Sequence, residues 1–338
     1  MSAHWRNFLA GVFLAGFLFF LGLFVAVKPR ILVLGSSAED TLWSQKFKQG
    51  AGAVLERNRR PLSVEWCYLD VPDRASGASA VAAAEARRTV ERIRPDVLIA
   101  VDDPANAFIA REYPGLALPR IIYVSINELP GHYGYNGREN VSGIADRLPL
   151  DALRDLAGDL QPRASRRIAA LGLRNEAVMA ELEQVRAFDW SPHRLVASDA
   201  VRTFEEWRRF VRESGADLLI VLDAGHMPRS VDDAGTVSGG DVVRWTEANS
   251  KALPVGTGVG FVPAGGSLSF APPPDDYGEK AMELAIDWLD DRESPGAPPP
   301  VESSSFEVAI RQGLLRARGL TVPPIYTEAA RENGTLYP

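Results

Sequence analysis

A single cysteine in 338 residues rules out an internal disulfide. Cys67 lies in the alternating run Leu62-Ser-Val-Glu-Trp-Cys-Tyr-Leu69, so it reads as a packed strand thiol rather than a reactive one. Histidine is almost as scarce. His4, His132, His193 and His226 stand far apart, and none forms the close His/Cys pair of a zinc site, so no metal site is expected. Gly-x-Ser-x-Gly and a phosphate loop are both missing, and Gly256-Thr-Gly-Val-Gly260 lacks the dinucleotide spacing, which leaves no cofactor to expect. No basic cluster offsets the net charge of -7, and this argues against a nucleic-acid partner. The chain has no internal repeat and no extended low-complexity tract.

What remains is an ordinary globular balance, 46% hydrophobic and 24% charged, in a length that suits two domains. One feature departs from it. Phe8 to Val27 carries no charge over twenty residues, enough to cross a bilayer as a helix. It ends Phe24-Val-Ala-Val-Lys-Pro29, a poor cleavage site, so an uncleaved anchor is expected over a signal peptide. No cysteine follows for lipid attachment. Arg6 before the run and Lys28 and Arg30 after it leave its orientation nearly uncoded.

The rest alternates strand and helix. Ile93-Arg-Pro-Asp-Val-Leu-Ile-Ala-Val-Asp-Asp-Pro-Ala-Asn-Ala107 sets the pattern. Its apolar stretch from Asp96 to Val101 suits a parallel strand buried on two faces, with Asp103 as N-cap and Pro104 at the first helical position. Other strands are expected at Arg30 to Leu34, Leu62 to Leu69 and Arg120 to Val124. Helices are expected from after Asp40 to Arg57, Ala78 to Ile93 and Ala105 to Tyr113. From Leu150 the alternation restarts, with strands at Arg167 to Leu171, His193 to Ala197 and Asp217 to Leu222. Leu253 to Phe270 is too glycine-rich for one long element and reads as a short strand plus a returning loop. Asp275 to Asp290 reads as a helix, and Phe306 to Ile310 as a last strand. Repeated β-α units of this size imply parallel sheets with right-handed crossovers.

Several stretches carry a family resemblance: Ile31-Leu-Val-Leu-Gly-Ser-Ser37, Arg94-Pro-Asp-Val-Leu-Ile-Ala100, Asn140-Val-Ser-Gly-Ile144 and, most specifically, the tail from Pro300 to Pro324. In order and spacing the chain resembles the ABC-transporter substrate-binding family with the type I periplasmic-binding fold, whose members include aromatic amino-acid binders. The resemblance implies an α/β protein of two Rossmann-like lobes with parallel sheets and crossing hinge strands. Its expected divisions are an anchor at 1–29, a first lobe of 30–145 and 272–300, and a second of 146–271 and 301–338. It also implies closure on a small ligand, an ABC permease as partner, and a soluble part on the periplasmic side of the inner membrane. A ligand-sensing or scaffold subunit beside a membrane sensor kinase is the alternative.

Carried over by position, the cleft is lined by Ser36, Ser37, Asp102, Asp103, Ser125 and Asn127 from the first lobe, and by Asp223 and Thr257 from the second. Ser37 with Asp40 also fits a capping box, and Asp103 fits a helix cap better than a ligand contact. Asp102 is the stronger cleft candidate. Relatives commonly carry a neutral loop where Asp102-Asp103 stands, so this cleft is expected to prefer an amine or other cation over an acid. Adjacent carboxylates are the pair acid-base catalysis needs, but strand neighbours point to opposite faces, so a binding protein is expected and not an enzyme. The loop Glu128-Leu-Pro-Gly-His-Tyr-Gly-Tyr-Asn136 reads as a mobile cleft lip or a partner surface.

Overall fold

The structure, a computed structural model, describes residues 12–14, 16–17, 28–70, 77–126, 128–145, 147–160, 166–233, 235–291, 296–303 and 305–338. In chain order it runs β1 (Arg30–Gly35), α1 (Leu42–Arg57), β2 (Ser63–Tyr68), α2 (Gly77–Ile93), β3 (Val97–Val101), α3 (Asp102–Phe108), β4 (Arg120–Ile126) and β5 (Val141–Ala145). There follow α4 (Leu150–Asp159), β6 (Arg167–Leu173), α5 (Glu176–Ala187), β7 (Arg194–Val201), α6 (Phe204–Glu213) and β8 (Leu218–Val221). A short hairpin of β9 (Met227–Pro228) and β10 (Thr236–Val237) precedes α7 (Gly239–Asn249), β11 (Leu253–Gly256) and β12 (Leu268–Ala271). The chain closes with α8 (Pro274–Asp290), β13 (Val301–Glu302), β14 (Glu307–Arg311), α9 (Gln312–Ala317), α10 (Pro324–Glu332) and β15 (Leu336–Tyr337).

Two sheets result. The first has the order β13-β5-β4-β3-β1-β2 and the second β15-β14-β12-β11-β8-β6-β7. Every neighbouring pair in the first is parallel. The second is not wholly parallel as expected, because β14 runs antiparallel to β12. Alternation along β1 divides the first core in two. Ile31 and Val33 pack with Phe47 and Tyr277 under α1 and α8, while Leu32 and Leu34 pack with Ala83, Val90 and Ile109 on the opposite side. A sheet covered on two faces must be apolar throughout, and all of β3 is buried.

Three joining segments lead from one sheet's elements to the other's, following Ala145, Ala271 and Glu302. Val301 and Glu302 ladder with Ile144 and Ala145, so these two residues belong to the first sheet and not, as the sequence division has it, to the second. Lys46 on α1 and Glu307 at the start of β14 form an ion pair of 2.5 Å between elements of different sheets. Ser303, buried in the third segment, donates to the Asp276 carboxylate and accepts from Lys280 Nζ, each at 3.0 Å.

Local capping differs from the sequence reading in two places. Thr41, not Ser37, caps α1 by accepting from the Ser44 N–H at 3.2 Å. Helix α3 begins at Asp102 with no side-chain cap of its own, so Asp103 is not an N-cap. The apolar run from Phe8 to Val27 lies outside the described residues except for 12–14 and 16–17. Those are helical, and Val12, Phe13, Leu14 and Phe17 are all more than half exposed. Among the described residues no helix is long and apolar enough to cross a membrane.

Helix α8 returns to the first sheet after the chain has built most of the second, and two glycines let it lie against α1. A Cβ on Gly50 would stand 1.9 Å from the Asp275 carbonyl oxygen, and one on Gly278 would stand 2.0 Å from that of Phe47. Gly278→Ala is therefore expected to lower stability in urea unfolding by about 1–3 kcal/mol through overpacking. Gly52, on α1 beside Gly50 but with nothing within 4 Å of an added Cβ, is the control. Gly52→Ala should raise stability by up to about 1 kcal/mol.

Candidate functional site

In the first sheet Gly35, Val101 and Val124 lie side by side at the carboxyl end of adjacent parallel strands. Ser36, Asp102 and Ser125 therefore come into line, where open α/β sheets bind ligands. The backbone there is unusual. Asp102 has φ 65° and Ser125 φ 53°, a region that costs a non-glycine residue about 1–3 kcal/mol and persists only where the surroundings impose it.

The surroundings are identifiable. The amide of Asn106, fully buried, donates to the carbonyls of Ala100 at 3.1 Å and Asp102 at 2.8 Å, and its oxygen accepts from the Tyr135 hydroxyl at 2.7 Å. The Ser36 hydroxyl donates to the Val101 carbonyl at 2.6 Å and accepts from the Ala105 N–H at 2.9 Å. A serine from another strand thus supplies the helix-start acceptor that α3 lacks. The buried Asp103 carboxylate accepts from the Tyr133 hydroxyl at 2.5 Å and the Glu128 N–H at 3.3 Å.

These bonds change the reading of the 128–136 loop. Tyr133 and Tyr135 are buried, their rings 5.5 Å apart, and Tyr135 stacks on Tyr123 at 5.7 Å. The tyrosines face inward and pin the loop to α3, so it is not a tyrosine-bearing partner surface; Leu129, His132 and Asn136 are side chains it exposes. Asp102 and Asp103 diverge. Asp103 is committed to the loop, while Asp102 and Ser37 stay half-exposed at the sheet's rim. Asn127 lies outside the described residues.

In the second sheet β6, β8 and β11 end side by side, and Asp223 and Thr257 follow β8 and β11. Thr257 is buried, and its hydroxyl donates to the carbonyls of Leu222 at 3.2 Å and Val221 at 3.4 Å. Asp223 accepts from the Asn175 side-chain amide at 3.2 Å. Burial pushes its carboxyl above the usual range, against the lowering effect of the Ala224 and Gly225 N–H groups and of Asn175. A cavity of about 230 Å³ opens beside it, lined by Ala224, Gly225, Gly258, Gly260 and Phe261 among others. A Cβ on Gly258 or Gly260 would meet nothing within 4 Å, so these glycines keep the cavity open rather than relieve a clash.

Of the expected site residues, the structure aligns Ser36, Asp102 and Ser125 on one sheet edge and Asp223 and Thr257 on the edge of the other. It turns Ser36, Asp103 and Thr257 toward the protein itself. Sequence reasoning missed Asn106, Tyr133, Tyr135 and Asn175. The two tyrosines, spaced by one glycine in a polar loop, were the available signal; an asparagine four residues beyond Asp102 is a weaker one. No group of three His, Cys, Asp or Glu side chains able to hold a metal occurs among the described residues. Tyr133→Phe should leave the buried Asp103 short of a donor and lower stability by about 1–3 kcal/mol in thermal or urea unfolding. Asn106→Ala should cost at least as much, since two carbonyls and a hydroxyl lose their partner.

No protein-family model matches the chain, and no curated protein matches it. Solved structures do. A conserved domain protein from Vibrio cholerae aligns over 92% of this chain and 100% of its own, at 16% identity and TM-score 0.62. An ABC domain from Streptococcus pneumoniae in complex with L-Trp aligns over 89% of this chain and 98% of its own, at 17% identity and TM-score 0.63. A periplasmic ribose ABC transporter structure from Conexibacter woesei aligns over 86% and 95%, at 15% identity and TM-score 0.54. The two sheets and three joining segments are thus the two-lobed fold of type I periplasmic binding proteins.

Proposed function

We propose that this chain is a membrane-anchored solute-binding protein that captures a small polar ligand between its two lobes, on the periplasmic side of the membrane, for an ABC importer. The observation that carries this reading is the alignment of Ser36, Asp102 and Ser125 at neighbouring strand ends of the first sheet, where open α/β sheets bind ligands. The structural neighbours include proteins whose names describe such binding. For the anchor the support is the uncharged stretch from Phe8 to Val27, with its exposed Val12, Phe13, Leu14 and Phe17.

The proposed ligand carries an amine or other cation. Ser37, Asp102 and Ser125 would receive it from the first lobe and Asp223 from the second. Closing the lobes on a cation would supply the charge that burial denies Asp223. The sign of the pH effect follows. An empty site holds the Asp223 proton more tightly than an unfolded chain does, so its contribution to stability is present below the ordinary aspartate pKa and fades as pH rises through the raised value. A cationic ligand favours the ionised form, so its affinity should climb over that same interval.

A thermal-shift screen of residues 28–338 against amines, amino acids and nucleosides tests the reading, because a ligand bound only to the folded form raises Tm. Amines should give the largest shifts. Binding of a plain organic acid, unaffected by Asp102→Ala or Asp223→Ala, would contradict the cation preference. For an amine that binds, Asp223→Asn should weaken affinity roughly 10- to 100-fold, as expected for losing a charged hydrogen bond, and should flatten the pH slope. Co-purification with an ABC permease is expected for an importer subunit.

A further inference from the structure

The six strands of the first sheet all start at one edge, opposite the candidate site, and the connections that enter them form its surface. That edge is basic. Lys28, Arg30, Arg59, Arg94 and Arg138 reach it on the loops before β1, β2, β3 and β5, and none has a carboxylate partner among the described residues. Arg60 is paired with Asp290, and Arg120 donates to the Trp288 carbonyl. Of the acids there, Asp96 accepts from the Arg30 N–H at 2.8 Å, and Glu139 and Asp291 are exposed. Glu56 and Glu91 stand a step back on α1 and α2.

The opposite edge has the reverse character, with Glu39, Asp40, Asp70, Asp102, Asp103 and Glu128 on its loops. Within a chain of net charge -7, five cations without a carboxylate partner among the described residues thus stand together at one end of a lobe. Arg94 adds a detail: it terminates α2 with φ 48°, a position where glycine costs least and arginine is held at a penalty. Leu116 and Leu118 rise from the same edge, each about half exposed.

The chain itself indicates what covers this surface. Val27 ends the uncharged run and Arg30 opens β1, so only Lys28 and Pro29 lie between them, a reach of roughly 10 Å. That is close to the distance over which physiological salt screens charge, about 8 Å. We infer that the amino-terminal edge of the first lobe is a membrane-docking surface that takes anionic lipid headgroups on Lys28, Arg30, Arg59, Arg94 and Arg138, with Leu116 and Leu118 entering the interface. The inference rests on the anchor reading above. It holds the first lobe upright, with its acidic edge and the ligand site facing away from the bilayer.

The test uses the full chain, with Cys67→Ser, reconstituted into vesicles of phosphatidylglycerol and phosphatidylethanolamine that contain a headgroup-linked quencher. A fluorophore is placed at Leu118→Cys or, on the acidic edge, at Leu129→Cys. Strong quenching at 118 and weak quenching at 129 is expected. Arg59→Glu/Arg94→Glu/Arg138→Glu, high salt, or vesicles of phosphatidylcholine alone should reduce the signal at 118, and the glutamine versions should reduce it less. Equal quenching at the two sites, stronger quenching at 129, or no dependence on lipid charge would overturn the inference. An alkaline wash separates the two failures: protein that it releases from the vesicles refutes the anchor, whereas retained protein with the wrong quenching pattern refutes the docking surface alone.

Discussion

The buried amide of Asn106 is the contact on which the rest of the candidate site depends. Strand β3 is buried on two faces and stops abruptly, and the carbonyls at its end cannot reach water. Such groups must find partners inside the protein, since each left unpaired costs about 1–3 kcal/mol. Asn106 takes the carbonyls of Ala100 and Asp102, and Ser36 takes that of Val101. With three successive carbonyls held, the peptide at Asp102 is forced into the left-handed region. The strain is thus a consequence of satisfied hydrogen bonds rather than a defect.

From there the arrangement spreads outward. Asn106 also binds Tyr135, and Asp103 binds Tyr133, so α3 and the 128–136 loop form one rigid support. The second lobe is simpler: Thr257 closes two carbonyls, and Asn175 steadies Asp223. Three short segments and the Lys46–Glu307 ion pair connect the lobes, which is little restraint against a hinge motion of the kind periplasmic binding proteins use.

Much of the architecture was legible because it rests on local pattern. The apolar run ending at Val101, framed by Pro95 and Pro104, could only be a short buried strand, and the alternating blocks after Leu150 repeated the theme. Strand ends followed from that, and with them the place of Asp102; Ser36, Ser125, Asp223 and Thr257 were named by the family resemblance. What stayed hidden depends on contacts distant in sequence. Nothing near Asp103 announces that its carboxylate will take the Tyr133 hydroxyl instead of capping the helix, and Ser36 caps that helix from 69 residues away. The antiparallel β14 and the return of Val301 to the first sheet are likewise set by how the lobes close, not by the residues themselves.

The central claim is that one ligand is held by strand ends from two sheets at once. Hydrogen–deuterium exchange on residues 28–338, with and without the amine giving the largest thermal shift, tests it most directly. Simultaneous protection of the amides at 102–106 and 125–128 in one lobe, and at 223–225 and 256–260 in the other, is the predicted result. Protection confined to a single lobe, or lying away from these strand ends while the ligand is bound, would contradict the account.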